Sequence, residues 1–147
     1  MQKLLINKRA YFDYEFKQIF LAGIVLSGSE VKSLRLKNGS LRGSFVKIIN
    51  QEAILLNVQI SPYKFSSNVD YDSKRTRKLL LRKKEIYKFS NDLDKKGYSL
   101  IPLAFILKNK LIKMEIGLGK GRKIYQKKSL LKQRDLKREM ERELKNR

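Results

Sequence analysis

The side chains that most often move protons or hold metals are missing from this chain, which contains no histidine and no cysteine. Imidazole does most proton transfer near neutral pH, and imidazole and thiolate are the usual ligands for the softer metals. The carboxylates are poorly placed for either task. Asp70 and Asp72 stand two apart in a polar stretch, and Asp92 and Asp94 run directly into Lys95 and Lys96. Neither pair reads as a buried acid–base couple or a two-metal site. Gly117-Leu118-Gly119-Lys120-Gly121 has the glycine density of a phosphate loop but lacks the Walker spacing and its Lys-Ser/Thr pair, so it reads as a flexible connector. No catalytic residue, metal site or cofactor is expected, and a carboxylate-only nuclease is the one enzyme alternative left.

What the chain has in excess is positive charge. It carries 35 Lys+Arg against 14 Asp+Glu, a formal net charge of +21 on 147 residues. Self-repulsion of that size opposes a compact state unless a polyanion is close, and nucleic acid is the commonest polyanion a soluble protein meets. An AT-rich coding sequence, which raises Lys, Ile and Asn together, accounts for part of the excess. The densest run is 74–88, where Lys74, Arg75, Arg77, Lys78, Arg82, Lys83, Lys84 and Lys88 face only Glu85. Tyr63, Phe65 and Tyr71 lie just upstream, and cations mixed with aromatics are the composition of RNA sites.

The elements that must position these charges can be read from changes of period. Phe12, Tyr14 and Phe16 alternate with Asp13, Glu15 and Lys17, which predicts a half-buried strand continuing through Ile24 and Val25. Ser27-Gly28-Ser29-Glu30 matches a capping box, so a short helix should start there and end near Asn38-Gly39. Val31 and Leu34 would be its buried contacts, with Lys32 and Arg35 together on an exposed face. Runs at 44–49 and 53–60 form a predicted hairpin around Asn50-Gln51-Glu52, and Pro62 closes it. Residues 63–76 read as a long surface loop, followed by a short apolar run at 79–81. A helix is expected over 83–96, with Ile86, Phe89 and Leu93 inward and Gly97 as its stop. Strands at 98–107 and 111–118 follow, joined by a tight turn at 108–110, with Ile112, Met114, Ile116 and Leu118 on one face. The fold class is mainly β (α+β): a small closed or nearly closed antiparallel barrel with helices at its periphery.

One domain suits the length, and its expected bounds are 1–119. From 120 to 147 the composition shifts to a net of +8 in 28 residues. Leu136, Met140 and Leu144 form a narrow apolar stripe, but Arg134, Arg138 and Arg142 repel along the same helix. Such a tail should be frayed and disordered when free and become helical when a polyanion neutralises it. With no cysteine the chain is compatible with a reducing compartment. The apolar run near Met1 is too short for a signal-peptide core, and no stretch approaches the roughly 20 apolar residues that span a bilayer. A cytoplasmic protein with no membrane partner is expected. Asn38-Gly39-Ser40 fits a glycosylation sequon but reads as a turn.

Five blocks together carry a family likeness: Asn7-Lys8-Arg9-Ala10; Ala22 through Arg35, with Glu30-Val31-Lys32-Ser33-Leu34-Arg35 at its end; Ile60-Ser61-Pro62-Tyr63; Arg75-Thr76-Arg77-Lys78-Leu79-Leu80-Leu81; and Gly119-Lys120-Gly121-Arg122-Lys123. In this order and spacing the chain resembles the SmpB family, partners of transfer-messenger RNA in bacterial ribosome rescue. The resemblance implies an OB-like barrel that binds the transfer-RNA-like domain of transfer-messenger RNA, one monomer per RNA, and delivers it to stalled ribosomes. The tail would enter the empty messenger channel of the small subunit at the decoding centre. By motif, the RNA-facing residues would be Asn7, Lys8, Arg9, Glu30, Lys32, Arg35, Arg75, Arg77, Lys78, Leu80 and Lys113. Those facing the ribosome would be Phe12, Gly121, Arg122, Lys123, Tyr125, Lys127 and Lys128. Glu30 could equally serve only as a cap, and Leu80 only as core. A ribosomal or general OB-type RNA-binding protein is the alternative.

Three positions depart from the family pattern. Phe12 stands where a histidine is common, which keeps stacking and loses a hydrogen-bond donor. Leu21 replaces an acidic residue, and Gln126-Lys127-Lys128 replaces Asp-Lys-Arg, with the loss of an acid and of a bidentate guanidinium.

Overall fold

The computed structural model describes residues 1–66, 70–95 and 97–145. Its elements in chain order are β1 (Gln2–Ile6), α1 (Lys8–Asp13), β2 (Tyr14–Ile24), α2 (Gly28–Arg35), β3 (Gly39–Ser40), β4 (Phe45–Ile49), β5 (Glu52–Leu56), β6 (Gln59–Ile60), β7 (Arg77–Leu80), α3 (Lys83–Leu93), β8 (Tyr98–Lys108), β9 (Leu111–Gly121) and α4 (Ile124–Lys145). The strands follow the order β1-β8-β4-β5-β7-β2-β9, and β9 pairs back onto β8. All these pairings are antiparallel, so the sheet closes into a ring with β1 added along the outer edge of β8.

The expected alternation fills the ring. Met114, Ile116 and Leu118 are fully buried, joined by Leu34, Leu55, Ile60, Leu100 and Phe105. Both tight hairpins use two left-handed residues, Asn50-Gln51 between β4 and β5 and Asn109-Lys110 between β8 and β9. Each begins with Asn, whose short amide tolerates that region. In α3, Ile86 and Phe89 are buried and Leu93 half-buried, with Phe89 stacked on Phe20 at 4.4 Å between centroids.

Several expectations need correction. Residues 2–6 form a strand that their short apolar run did not announce. Phe12 lies in α1 rather than on the alternating strand, which begins at Tyr14. The cause is a contact distant in sequence: the Asn7 backbone N–H donates to the Leu103 carbonyl (2.7 Å) and its side chain to the Pro102 carbonyl (2.9 Å), and Lys8-Arg9-Ala10 then turn readily into a helix. The second hairpin strand breaks into β5 and β6 because Asn57 is left-handed, φ 61°. Both helices stop early, α2 at Arg35 before the left-handed Lys37 and α3 at Leu93, while Gly97 has φ 90°.

The glycine run at 117–121 is not a connector. Gly117 and Gly119 sit in β9, opposite Ile19 and Phe16 of β2. A Cβ built on Gly117 would come within 2.5 Å of the Phe16 ring, and one on Gly119 within 2.7 Å. The ring of Phe16 occupies the space that two side chains would need. The last strand therefore runs to Gly121, two residues past the expected end of the domain at 119.

Gly117→Ala should cost about 1–3 kcal/mol through overpacking against Phe16. Gly121→Ala, with open space around it, should change stability by less than about 0.5 kcal/mol. Urea denaturation of the two variants measures the difference.

Candidate nucleic-acid interface

The first cationic surface is built around a buried carboxylate. Ser27 caps α2: its hydroxyl accepts from the Glu30 backbone N–H (3.2 Å), and the Glu30 carboxylate accepts from the Ser27 N–H (2.9 Å). The same carboxylate takes the guanidinium of Arg75, the Nε and Nη2 of Arg77 at 2.8 and 2.7 Å, and the hydroxyl of Tyr71 at 3.0 Å. Burial by itself would raise the pKa of Glu30. The hydrogen bonds from Arg75, the Ser27 backbone and Arg77 outweigh it and hold the group at about 2. For Tyr71, burial and then the charge of Glu30 push the hydroxyl pKa up.

Several of the expected site residues meet at this junction. Glu30 and Arg77 have fully buried side chains, so neither offers surface to RNA. Arg77 neutralises Glu30 and also donates to the carbonyls of Val58 and Ser73 at 2.8 and 3.1 Å. Arg75 is about a third exposed and keeps part of one edge free. Tyr71 also donates to the Ile60 carbonyl and the Ile60 N–H to the Ser73 carbonyl, which ties 71–73 to the end of β6; of the expected loop at 63–76, residues 67–69 lie outside the described residues. Tyr71, one of three aromatics in a polar stretch of the sequence, is thereby a structural partner of Glu30.

What the junction holds outward is basic. Lys32 and Arg35 are exposed on α2, and the Lys32 ammonium lies 5.5 Å from the centre of the Tyr63 ring. Where β7, β2 and β9 run side by side, Leu80, Gly23 and Lys113 stand in one cross-strand row. Leu80 is 54% exposed, which corrects the core reading for it; its neighbour Leu79 fills the core instead. A Cβ on Gly23 would press on Leu80 at 3.2 Å. Lys78 is half-exposed, paired at 3.3 Å with Glu52.

A second cationic surface lies at the other end of β2 and β9, where α1 meets the root of α4. The Arg122 N–H donates to the Asp13 carbonyl (2.8 Å), and the Lys127 ammonium reaches Asp13 Oδ1 at 3.0 Å. Lys127 also lies 5.8 Å from the Phe12 ring centre, and Arg9 approaches that ring at 5.1 Å. Phe12 and the tail, far apart in sequence, are thus brought together. Gln126 accepts from the Lys123 N–H at 2.9 Å, closing the first turn of α4. Gly121, Lys123, Tyr125 and Lys128 are exposed, and Arg122 is partly so. None of the α4 residues is buried. Lys8 and Arg9 are exposed beside a groove of about 930 Å³ that also takes in Arg42. Arg42 had no signal in the sequence, because only the fold brings residue 42 to residue 9. No helix among the described residues is long and apolar enough to cross a membrane.

A closed barrel with two separate cationic surfaces defines a protein of the polyanion-binding class. The family model described as "SmpB protein" matches residues 4–146. The SsrA-binding protein of Geotalea uraniireducens is 45% identical over 147 residues, covering 99% of this chain and 97% of that one. That of Persephonella marina is 47% identical over 139 residues, 95% of this chain and 91% of the relative. A solved structure described as "tmRNA-SmpB: a journey to the center of the bacterial ribosome" matches with a TM-score of 0.69 and 38% identity, over 84% of this chain and 87% of that one. The chain belongs to the SmpB family.

Glu30→Gln should leave Arg77 buried without its counter-charge and cost about 3–5 kcal/mol at pH 7. The folded-state pKa of Glu30 is depressed to about 2 from an ordinary 4.5. Its contribution is therefore complete above about pH 4.5 and is lost as pH falls through about 2. Denaturation curves of wild type and Glu30→Gln should converge over that window.

Proposed function

We propose that this protein binds the transfer-RNA-like domain of transfer-messenger RNA and delivers it to stalled ribosomes for trans-translation, with the tail reading the empty messenger channel at the decoding centre. The observation that carries the reading is the separation of its two cationic surfaces. From Tyr14 beside α1 to Gly23 beside Leu80, β2 spans roughly 30 Å at about 3.3 Å per residue. A rigid barrel of that length holds one RNA at the α2 end and presents α4 to another at the α1 end. Membership of a family whose relatives are called SsrA-binding proteins supports the choice of RNA, and the solved relative in its ribosomal setting supports the second partner.

The division of labour follows the surfaces. Lys32, Arg35, Leu80 and Lys113 face the transfer-RNA-like domain, with Lys78 and the free edge of Arg75 beside them; Asn7, Glu30 and Arg77 act by holding the barrel and α2 in place. Phe12, Gly121, Arg122, Lys123, Tyr125, Lys127 and Lys128 face the ribosome. The protein works in the cytoplasm as one monomer per RNA, and it binds without cleaving: labelled RNA incubated with it and magnesium stays intact. The chain beyond Lys123 acts as a separable tail, two residues of the expected 120–147 being the end of β9. With no buried residue to hold it, α4 frays in free solution and gains helix on its RNA partner, which circular dichroism with and without RNA measures.

Competition separates this reading from a general OB-type RNA-binding protein. The transfer-RNA-like domain should stay bound against excess bulk transfer RNA, and equal displacement by both would favour the general binder. If six to ten phosphates are contacted, log affinity should fall against log salt with a slope of about −5 to −9. Truncation after Lys123 keeps β9 whole; it should preserve RNA binding and abolish ribosome rescue in a stalled-translation assay.

A further inference from the structure

The groove between α1 and the segment from β3 to β4 shares Lys8, Arg9 and Asp13 with the α1 surface, but its far side, residues 39–45, belongs to neither surface above. It holds about 930 Å³ and is lined by Leu5, Ile6 and Ile101 together with residues 39–45, from β3 to the start of β4. Ligand sites run from about 300 to 1,000 Å³, so it has room for a nucleotide or two. Its chemistry is mixed in a particular way. Arg9, Lys8 and Arg42 are exposed along it, and Tyr14 and Phe45 are half-buried in its wall. Lys47 adds a further ammonium 5.6 Å from the Phe45 ring centre. The lining contains one carboxylate, Asp13, and both its oxygens are engaged: Oδ2 by Arg9 at 3.3 Å and Oδ1 by Lys127 at 3.0 Å. The groove thus presents positive charge with no free acid to oppose it, beside two aromatic walls.

We propose that this groove is a binding site for unpaired RNA nucleotides, with Arg42 and Lys8 taking phosphates and Phe45 and Tyr14 receiving a base. A duplex does not fit this chemistry, because its phosphates lie outside and its bases show no free face; it could touch the cationic tips but not the rings set into the wall. An unstacked base offers a π-face to an aromatic side chain, an interaction worth roughly 1–3 kcal/mol per base. The loop at 39–45 is suited to close approach. Gly43 has φ 75° and open space around it, the Arg42 N–H donates to the Ser40 hydroxyl at 3.1 Å, and Arg42 is exposed. The inference deepens the RNA-binding reading by adding a third contact that recognises single strands.

The test uses the full chain and three labelled probes: the hexanucleotides A6 and U6, and a short RNA duplex, at salt high enough to suppress unspecific charge binding. The variants are Arg42→Gln and Phe45→Leu, the second keeping apolar volume while removing the ring, with folding checked by circular dichroism. Arg42→Gln should weaken A6 binding about five- to tenfold, as expected for loss of one charged phosphate contact. Phe45→Leu should weaken A6 by about fivefold or more and U6 by less, since purines stack better. Duplex binding and binding of the transfer-RNA-like domain should each change less than about twofold. Ultraviolet crosslinks from A6 containing one photoreactive base should map to the peptide around Phe45, a readout independent of variant folding. Crosslinks that map elsewhere, an unchanged A6 affinity in Phe45→Leu, or duplex bound as tightly as A6 would each overturn the proposal. Wild type that fails to select the transfer-RNA-like domain, yet still binds A6 at Phe45, would sink the broader reading and leave this site standing.

Discussion

The Glu30 carboxylate is the constraint on which the arrangement of the α2 surface depends. A charge at zero exposure is tolerable only when its lone pairs are filled and its charge is matched. Here the donors are the Ser27 backbone, two guanidinium groups and the Tyr71 hydroxyl. They come from different stretches of chain, so satisfying one carboxylate fastens the start of α2, the end of the long loop and the first residue of β7 to one another. The exposed cations Lys32 and Arg35 inherit their direction from that fastening. Positive charge is abundant in this chain and cheap to place at the surface; a fixed direction for it is not, because a long side chain on a mobile segment loses entropy when it docks.

The same logic of a fixed spacing governs the barrel. Strands β2 and β9 pair along most of their length, with a bulge between Phe16 and Gln18. At that bulge the Phe16 ring lies across Gly117 and Gly119. Glycines weaken a strand by entropy and by lack of side-chain packing, and here that loss is offset by an aromatic ring that covers two residues at once. The result is a continuous strand pair joining the α2 surface to the root of the tail, with no hinge between them.

The periodic features were legible in the sequence: the alternation in β9, the capping box of α2, the apolar stripe of α3 and both hairpin turns. They are local signals, set by spacing within one element. What was not legible depended on partners distant in sequence. Arg77 reads as surface charge until Glu30, 47 residues away, is seen to neutralise it. The run Arg75-Thr76-Arg77-Lys78 looks like the solvated end of a loop, yet half of it is the start of a strand that is buried on one face. Gly117 and Gly119 read as a flexible link until Phe16 is placed over them. Phe12 shares a period of two with Tyr14 and Phe16, and only the anchoring of Asn7 to the Pro102–Leu103 backbone reveals that the chain turns through a helix before the strand begins. The family blocks supplied the grouping of Lys32, Arg35, Leu80 and Lys113 that composition alone could not.

The root of α4 shows how a departure from the family pattern can be absorbed. A helix start needs an acceptor for its free N–H groups, and an amide at the third helical position serves as well as a carboxylate. Gln126 occupies that position and accepts from Lys123, so the loss of the acid leaves the first turn closed. The loss of its charge is a separate matter, and Asp13 on α1 meets it by pairing with Lys127. Both partners of that pair are more than a quarter exposed, where ion pairs are typically worth about 0–1 kcal/mol. The attachment therefore sets a preferred direction for the tail without locking it. A tail that must leave the barrel surface to follow another molecule's channel needs that combination: a closed first turn to propagate from, and a tether weak enough for many phosphates to outcompete.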